Sequence, residues 1–120
     1  MSTPVGPYTP IVRAGDWLVV SGQVGIGSAG LEDGFSAQLT QALDNLRGLV
    51  EEAGAVLSDV TKTTVFLVDM ADYVALNEIY VGYFDTHADG HRPARSAVAV
   101  AALPIGALVE IEAWVHAPVQ

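Results

Sequence analysis

Val60-Thr61-Lys62-Thr63-Thr64-Val65-Phe66-Leu67-Val68 is β-branched almost throughout and reads as a strand. Helical patterning lies on both sides of it. Upstream, Leu39, Ala42, Leu43, Leu46, Leu49, Val50 and Ala53 recur at helical spacing and form one apolar stripe of about five turns. Asp44, Glu51 and Glu52 lie off that stripe and are expected to face water. Gly54 stands where a left-handed C-cap belongs. Gly48, inside the helix, costs about 1 kcal/mol relative to Ala, which points to a close backbone approach. Downstream, Asp69 with Asp72 resembles a capping box and opens a second helix carrying Tyr73, Leu76, Ile79, Tyr80, Tyr83 and Phe84.

Working outward, Ile11-Val12-Arg13 and residues 17–21 flank Ala14-Gly15-Asp16 and read as a hairpin. Residues 22–34 carry Gly22, Gly25, Gly27, Gly30 and Gly34 and read as a loop. Residues 85–93 are a polar loop. Residues 94–102 and 107–116 are strands joined around Leu103-Pro104-Ile105-Gly106 as a final hairpin. The order is β-β-α-β-α-β-β. This predicts an α+β fold, with two helices on one face of a mixed sheet.

The chain has 120 residues, which bounds it to a single domain spanning 1–120. Lys plus Arg is 5 and Asp plus Glu is 14, so the net charge is 5 − 14 = −9. Nucleic-acid binding needs a basic footprint, and none is present. Anionic membrane surfaces are disfavoured for the same reason. The longest charge-free runs, 17–31 and 96–109, fall short of the roughly 20 residues of a spanning helix. Residues 1–4 show no basic stretch leading into an apolar one, so a cytoplasmic location is expected. Cysteine is absent, which removes disulfides, thiolate catalysis and Cys-ligated zinc. Hydrophobic residues are 51% and charged residues only 16%, against a usual charged share of about 25%. That imbalance predicts burial between subunits.

The last two strands carry uneven faces. Val109, Ile111, Ala113 and Val115 point one way, and Glu110, Glu112 and Trp114 the other. On the preceding strand Ser96, Val98, Val100 and Ala102 share one face, and Arg95, Ala97, Ala99 and Ala101 the opposite one. With the mainly apolar sets turned to the helices, Arg95 and its alanines lie beside Glu110 and Glu112. Small residues framing a few charges predict a cleft or a subunit interface.

Several patterns have plain structural readings. Gly25-Ile26-Gly27-Ser28-Ala29-Gly30 matches a dinucleotide fingerprint literally. Glu32 and Asp33 then intervene before any helix and would repel a phosphate, so it reads as a loop. Asp85, His87, Asp89 and His91 alternate along one loop and are residue types that ligate divalent metals, but nothing fixes their geometry; they read as a solvated loop, and no metal site is assigned. Lys62, the only lysine, reads as an ordinary exposed residue. Asn77 reads as a helix residue bonded to a nearby loop, Tyr8 as packing, and Arg95 as an ion-pair partner of Glu112 or Glu110.

Taken together, the residues resemble the RidA/YjgF family of small enamine/imine deaminases over nearly the whole chain. The resemblance rests on Gly6-Pro7-Tyr8, Ser21-Gly22-Gln23, the run from Gln41 to Asn45-Leu46, Asp59 to Leu67, Asn77 to Tyr80, Pro93-Ala94-Arg95-Ser96, Leu103-Pro104 and Val109-Glu110-Ile111-Glu112. It implies a chorismate-mutase-like fold and a homotrimer, with sheets inside, helices outside and sites in clefts between subunits. The implied reaction is cofactor-independent hydrolysis of 2-aminoacrylate-type or 2-iminopropanoate-type intermediates to a 2-keto acid and ammonia. Arg95 offers a planar fork for the substrate carboxylate. Glu110 would orient or deprotonate the attacking water. By correspondence Tyr8, Ser21, Gly22 and Asn77 line the pocket, and small Ala97 leaves room for the ligand. The family's best-known members carry Cys where Ala97 stands, and a Pro shortly after Ser-Gly-Gln where this chain has Gly25. Residues 88–92 follow no family pattern.

Two other functions compete: a non-catalytic carboxylate-binding or chaperone-like trimer that would use the same cleft, and an endoribonuclease, an activity also attached to the family the chain resembles. The pairing of Arg95 with Glu110 favours catalysis, because a carboxylate binder has no need of a second carboxylate beside its arginine. The charge of −9 weighs against RNA.

Overall fold

The computed structural model describes residues 6–120; the N-terminal residues 1–4, read above as lacking a leader, lie outside the described residues. Strands β1 (Ile11–Ala14) and β2 (Trp17–Val24) form the expected hairpin, with Gly15 supplying the left-handed turn at φ 60°. The glycine-rich segment is more ordered than its composition implies. It holds a two-stranded ribbon, β3 (Ile26–Gly27) on β4 (Gly30–Leu31).

Helix α1 (Phe35–Glu52) buries Leu39, Ala42, Leu43, Leu46, Leu49 and Val50, the sequence stripe. Gly54 follows its C-cap at φ 89°, as expected. Gly48 differs from expectation: it is exposed, and nothing lies within 4 Å of where a Cβ would stand. Nothing in the structure explains that glycine. Asp44 is also not simply solvated. It is half-buried and accepts a 2.6 Å bond from the Tyr83 hydroxyl, while Arg47 lies 3.8 Å away and donates to His87 Nδ1 at 3.0 Å. This polar cluster ties α1 to helix α2 (Tyr73–His87). Burial, and then the Asp44 bond, push the Tyr83 phenol above its ordinary pKa. Asp69 caps the turn Met70–Asp72 ahead of α2 through Ala71 N at 2.9 Å; Asp72 makes no reciprocal side-chain cap bond.

The main sheet has five strands in the order β1-β2-β7-β5-β6, completed by β5 (Val60–Leu67), β6 (Ala94–Ala99) and β7 (Val109–His116). The expected final hairpin does not form. β6 pairs in parallel with β5, and β7 pairs antiparallel with β2 and β5, so β5 separates the last two strands. The reason is the crossover. A strand returning through a helix lands parallel to the strand it left, and β5-α2-β6 is such a unit. The long, evenly alternating β7 then fills the place between β2 and β5.

This topology inverts one face assignment. Residues directly opposite across a sheet point the same way. Thr63 pairs with both Arg95 and Ala113, whereas Phe66 pairs with both Val98 and Glu110. Arg95 and Ala97 therefore lie on the helix face, and Ser96 and Val98 on the open face, where Val98 is 42% exposed. The core sits between both helices and the helix face, with Val65, Leu67, Ile111 and Val115 fully buried. Among the described residues no helix is long and apolar enough to cross a membrane.

Candidate functional site

The open face carries a cavity of about 450 Å³ lined by Gly6, Tyr8, Ser21, Gly22, Pro104, Glu110 and Glu112. Its floor is a β-bulge. Val20 opposes Ala113 and Gln23 opposes Ile111, so Ser21 and Gly22 together oppose one residue. The bulge turns both toward the cavity, while Gln23 stays buried and donates back to the Ser21 carbonyl at 3.0 Å. The Ser21 hydroxyl donates to the Thr9 carbonyl at 2.7 Å, which pins the segment carrying Tyr8. Tyr8 itself is 41% exposed and faces the cavity rather than packing in the core.

Gly22 is glycine for a stated reason. A Cβ there would stand 2.7 Å from Glu110 Cδ and 3.0 Å from its Cγ. The missing side chain is the space the Glu110 carboxyl occupies. Burial of Glu110, and then the neighbouring Glu112 charge, raise its pKa above the usual carboxylate value.

Arg95 is elsewhere. On β6, turned to α2, its Nη2 donates to Asn77 Oδ1 at 2.7 Å and reaches Tyr73 Oη at 3.4 Å. Its guanidinium carbon lies 4.9 Å from the Tyr80 ring centroid and 5.6 Å from that of Tyr73. Ala97, two residues on, packs against the core rim. The expectation that Arg95 sits beside Glu110 and Glu112 is thus corrected: within one chain the sheet separates them. The ion-pair reading of Arg95 with either glutamate falls with it, and Asn77 bonds an arginine instead of a loop.

The predicted residues therefore form two groups. Tyr8, Ser21, Gly22 and Glu110 meet in the open-face cavity; Arg95, Asn77 and Ala97 meet along α2 and β6. Tyr73 and Tyr80 escaped sequence reading as site residues, because the apolar stripe of α2 absorbed them. Their positions four before and three after Asn77 put all three on one side of a helix, and that spacing was the available signal.

Lys62 is not an ordinary exposed lysine. It is half-buried in a second cavity of about 300 Å³ with Thr61, Trp17 and Trp114. A second bulge, between Val60 and Lys62, puts Thr61 and Lys62 together on the open face. The alternating Asp85 to His91 residues are spread over separate contacts. Asp85 pairs with Arg92 at 2.7 Å, and His91 Nε2 bonds the Val60 carbonyl at 2.7 Å.

Comparison with known proteins adds the following. The family model for endoribonuclease L-PSP matches residues 1–117. A RutC family protein of Aquifex aeolicus is 40% identical over 111 residues, 91% of this chain and 87% of the relative. The 2-iminobutanoate/2-iminopropanoate deaminase of Mus musculus is 45% identical over 112 residues, 91% of this chain and 80% of the relative. The crystal structure of the Escherichia coli YjgF gene product superposes with a TM-score of 0.89 at 37% identity, covering 94% of this chain and 90% of that one. With the bulged Ser21-Gly22, the Asn77-bound Arg95 and the five-stranded sheet, these matches establish that the chain belongs to the RidA/YjgF family.

Proposed function

We propose that this chain hydrolyses small enamine or imine acids of the 2-aminoacrylate and 2-iminopropanoate type to 2-keto acids and ammonia, without a cofactor. The observation that carries this reading is Glu110: a half-buried carboxyl with a raised pKa, closed over a glycine that leaves it room. A carboxyl tuned upward toward working pH is suited to moving protons. The deaminase names of relatives at about 40% identity support the same chemistry.

The two residue groups act together if a second copy brings its Arg95 to the open face of the first. We propose a homotrimer of single-domain chains, with open faces inward and sites between subunits. The open face is built for cover: Trp17 is 37%, Val98 42% and Trp114 49% exposed on it. A cytoplasmic location fits the reactive substrates.

In such a cleft the substrate carboxylate lies on the Arg95 fork. Water between Tyr8 and Glu110 attacks the imine carbon as Glu110 takes its proton, and the C=N pair moves onto nitrogen. Glu110 then returns the proton to nitrogen, giving a carbinolamine; Glu110 next carries the hydroxyl proton to the same nitrogen, the C–N bond breaks as its electron pair leaves with nitrogen, and ammonia departs as C=O forms. Ser21 and Asn77 hold the two walls in place.

A coupled assay tests this: an enzyme releases the imine in situ, and keto-acid formation is followed with and without the chain. Faster formation is expected; an unchanged rate across several amino-acid precursors overturns the reading. Light scattering that gives a monomer mass at micromolar concentration overturns the trimer. The family model's endoribonuclease description supplies a second reading, which a charge of −9 disfavours.

A further inference from the structure

Arg95 is a long side chain with many rotamers, yet here it is held at one nitrogen and over two tyrosine rings. Nη2 bonds Asn77 and reaches Tyr73, and the guanidinium carbon lies over the Tyr80 and Tyr73 rings. Together these contacts restrict where the fork can stand. The deepest of these contacts is Tyr80, only 4% exposed, whose ring lies 4.9 Å from the guanidinium carbon. That distance is well inside cation–π range.

Tyr80 is itself held. Its hydroxyl and the Thr63 hydroxyl share a 2.7 Å hydrogen bond, and Thr63 is fully buried. The Phe84 ring packs tilted against it, 4.7 Å between centroids. Thr63 is also the strand residue that pairs with Arg95 across β5 and β6. The arrangement closes on itself: Thr63 fixes the Tyr80 ring, the ring fixes the plane of Arg95, and the sheet fixes Arg95 opposite Thr63.

We propose that Tyr80, locked by Thr63, is a positioning residue that sets the plane of the Arg95 fork for bidentate binding of the substrate carboxylate, with Tyr73 as the outer wall. This rests on Arg95 as carboxylate anchor. Tyr80 does not touch substrate. It removes, before binding, the freedom Arg95 would otherwise lose on binding.

The test is titration of pyruvate into the full-length protein, alongside steady-state kinetics. Tyr80→Leu is expected to weaken pyruvate affinity and raise KM by about three- to tenfold, with kcat changed much less. Thr63→Val leaves the Tyr80 hydroxyl buried without its partner and is expected to weaken binding by about twofold or more. Thr63→Val combined with Tyr80→Phe removes both hydroxyls, so no unpaired group remains but the lock is still missing, and it is expected to keep most of that loss; full recovery would assign the loss to the unpaired hydroxyl and overturn the lock. A merely structural role would lower the active fraction, and so kcat, with KM unmoved. If Tyr80→Leu does not assemble, the Thr63→Val loss and its persistence in the double variant carry the test alone. Unchanged pyruvate affinity in Tyr80→Leu, or in Thr63→Val where that variant carries the test, overturns the positioning role while Arg95→Ala still loses binding. If Arg95→Ala also binds pyruvate normally, the anchor reading falls, and this proposal falls with it.

Discussion

Arg95 sits in a finished socket. One helix supplies Asn77, Tyr73 and Tyr80, the neighbouring strand supplies Thr63, and every piece comes from the same chain. Glu110 stands on the other face of the same sheet under different conditions. A bulge and a glycine make room for it, but its charged neighbour among the cavity residues is Glu112, a like charge. On the proposed reading the socket serves to hold an anion and the glutamate side serves the reaction, and no cation stands among the residues lining the Glu110 cavity. A single chain would then carry binding and chemistry as separate halves on opposite faces of one sheet. That separation is what the trimer proposal answers.

The most severe way to break the comparison is to remove the socket's charge. Arg95→Ala is expected to abolish deamination, and Arg95→Lys to restore little, since lysine loses the bidentate fork. A trimeric Arg95→Ala protein with normal turnover refutes the anchor. A mixing experiment then separates the halves directly. Arg95→Ala chains and Glu110→Gln chains, the first inactive and the second impaired alone, are refolded together. Activity is expected to return, because mixed assemblies contain clefts with one intact half from each chain. No recovery in demonstrably mixed trimers means that the halves do not meet across subunits.

Next in size is Glu110→Gln. The variant keeps size and most hydrogen bonds but cannot accept a proton as a carboxylate does. General-base contributions run to about 10²–10⁴-fold, so kcat is expected to fall at least about tenfold, while 2-keto acid affinity changes little. Equal losses in turnover and affinity would make Glu110 only a partner that orients the arginine.

The two halves were unequally legible in the sequence. The family resemblance nominated both, through an arginine in Pro-Ala-Arg-Ser and a glutamate in Val-Glu-Ile-Glu. Alternation also placed Val109, Ile111, Ala113 and Val115 in the core. Their relative side was not legible. Parity along a strand is local, but which strand lies beside which is set by the α2 crossover, and that put β5 between β6 and β7. One misplaced neighbour turned Arg95 to the wrong face. The bulges at Ser21-Gly22 and Thr61-Lys62 were hidden for a related reason. An extra residue is visible only against a partner strand. Gly54 could be read because a C-cap is local; Gly48 invited the same kind of argument and has no contact to support it.

Gly22→Ala sharpens the reading of the glutamate side. The new methyl group must displace the Glu110 carboxyl, because the space is already taken. We expect a several-fold loss in kcat, about tenfold at most, with pyruvate affinity near that of the parent. A fully active Gly22→Ala enzyme would show that the carboxyl need not occupy that position.

The smallest effect expected is that of Glu112→Gln, and its direction is informative. Glu112 faces the same cavity as Glu110, and its charge is one of the two causes that raise the Glu110 pKa, burial being the larger. Removing that charge leaves the burial contribution and lowers the Glu110 pKa toward its ordinary value. On the proposed mechanism Glu110 acts in its ionised form, so activity is expected to fall as pH drops through its pKa. The acid limb of the kcat profile should therefore move to lower pH in Glu112→Gln, while activity on the neutral plateau stays close to that of the parent. Pyruvate affinity should hold, since Glu112 is not part of the Arg95 socket. A pH series on parent and variant decides it. An acid limb that stays in place means that the titrating group in turnover is not Glu110. A limb that moves to higher pH would mean that Glu112 holds a positive group close to Glu110 and that the variant lets it go, the natural candidate on this reading being the arginine delivered by the next subunit.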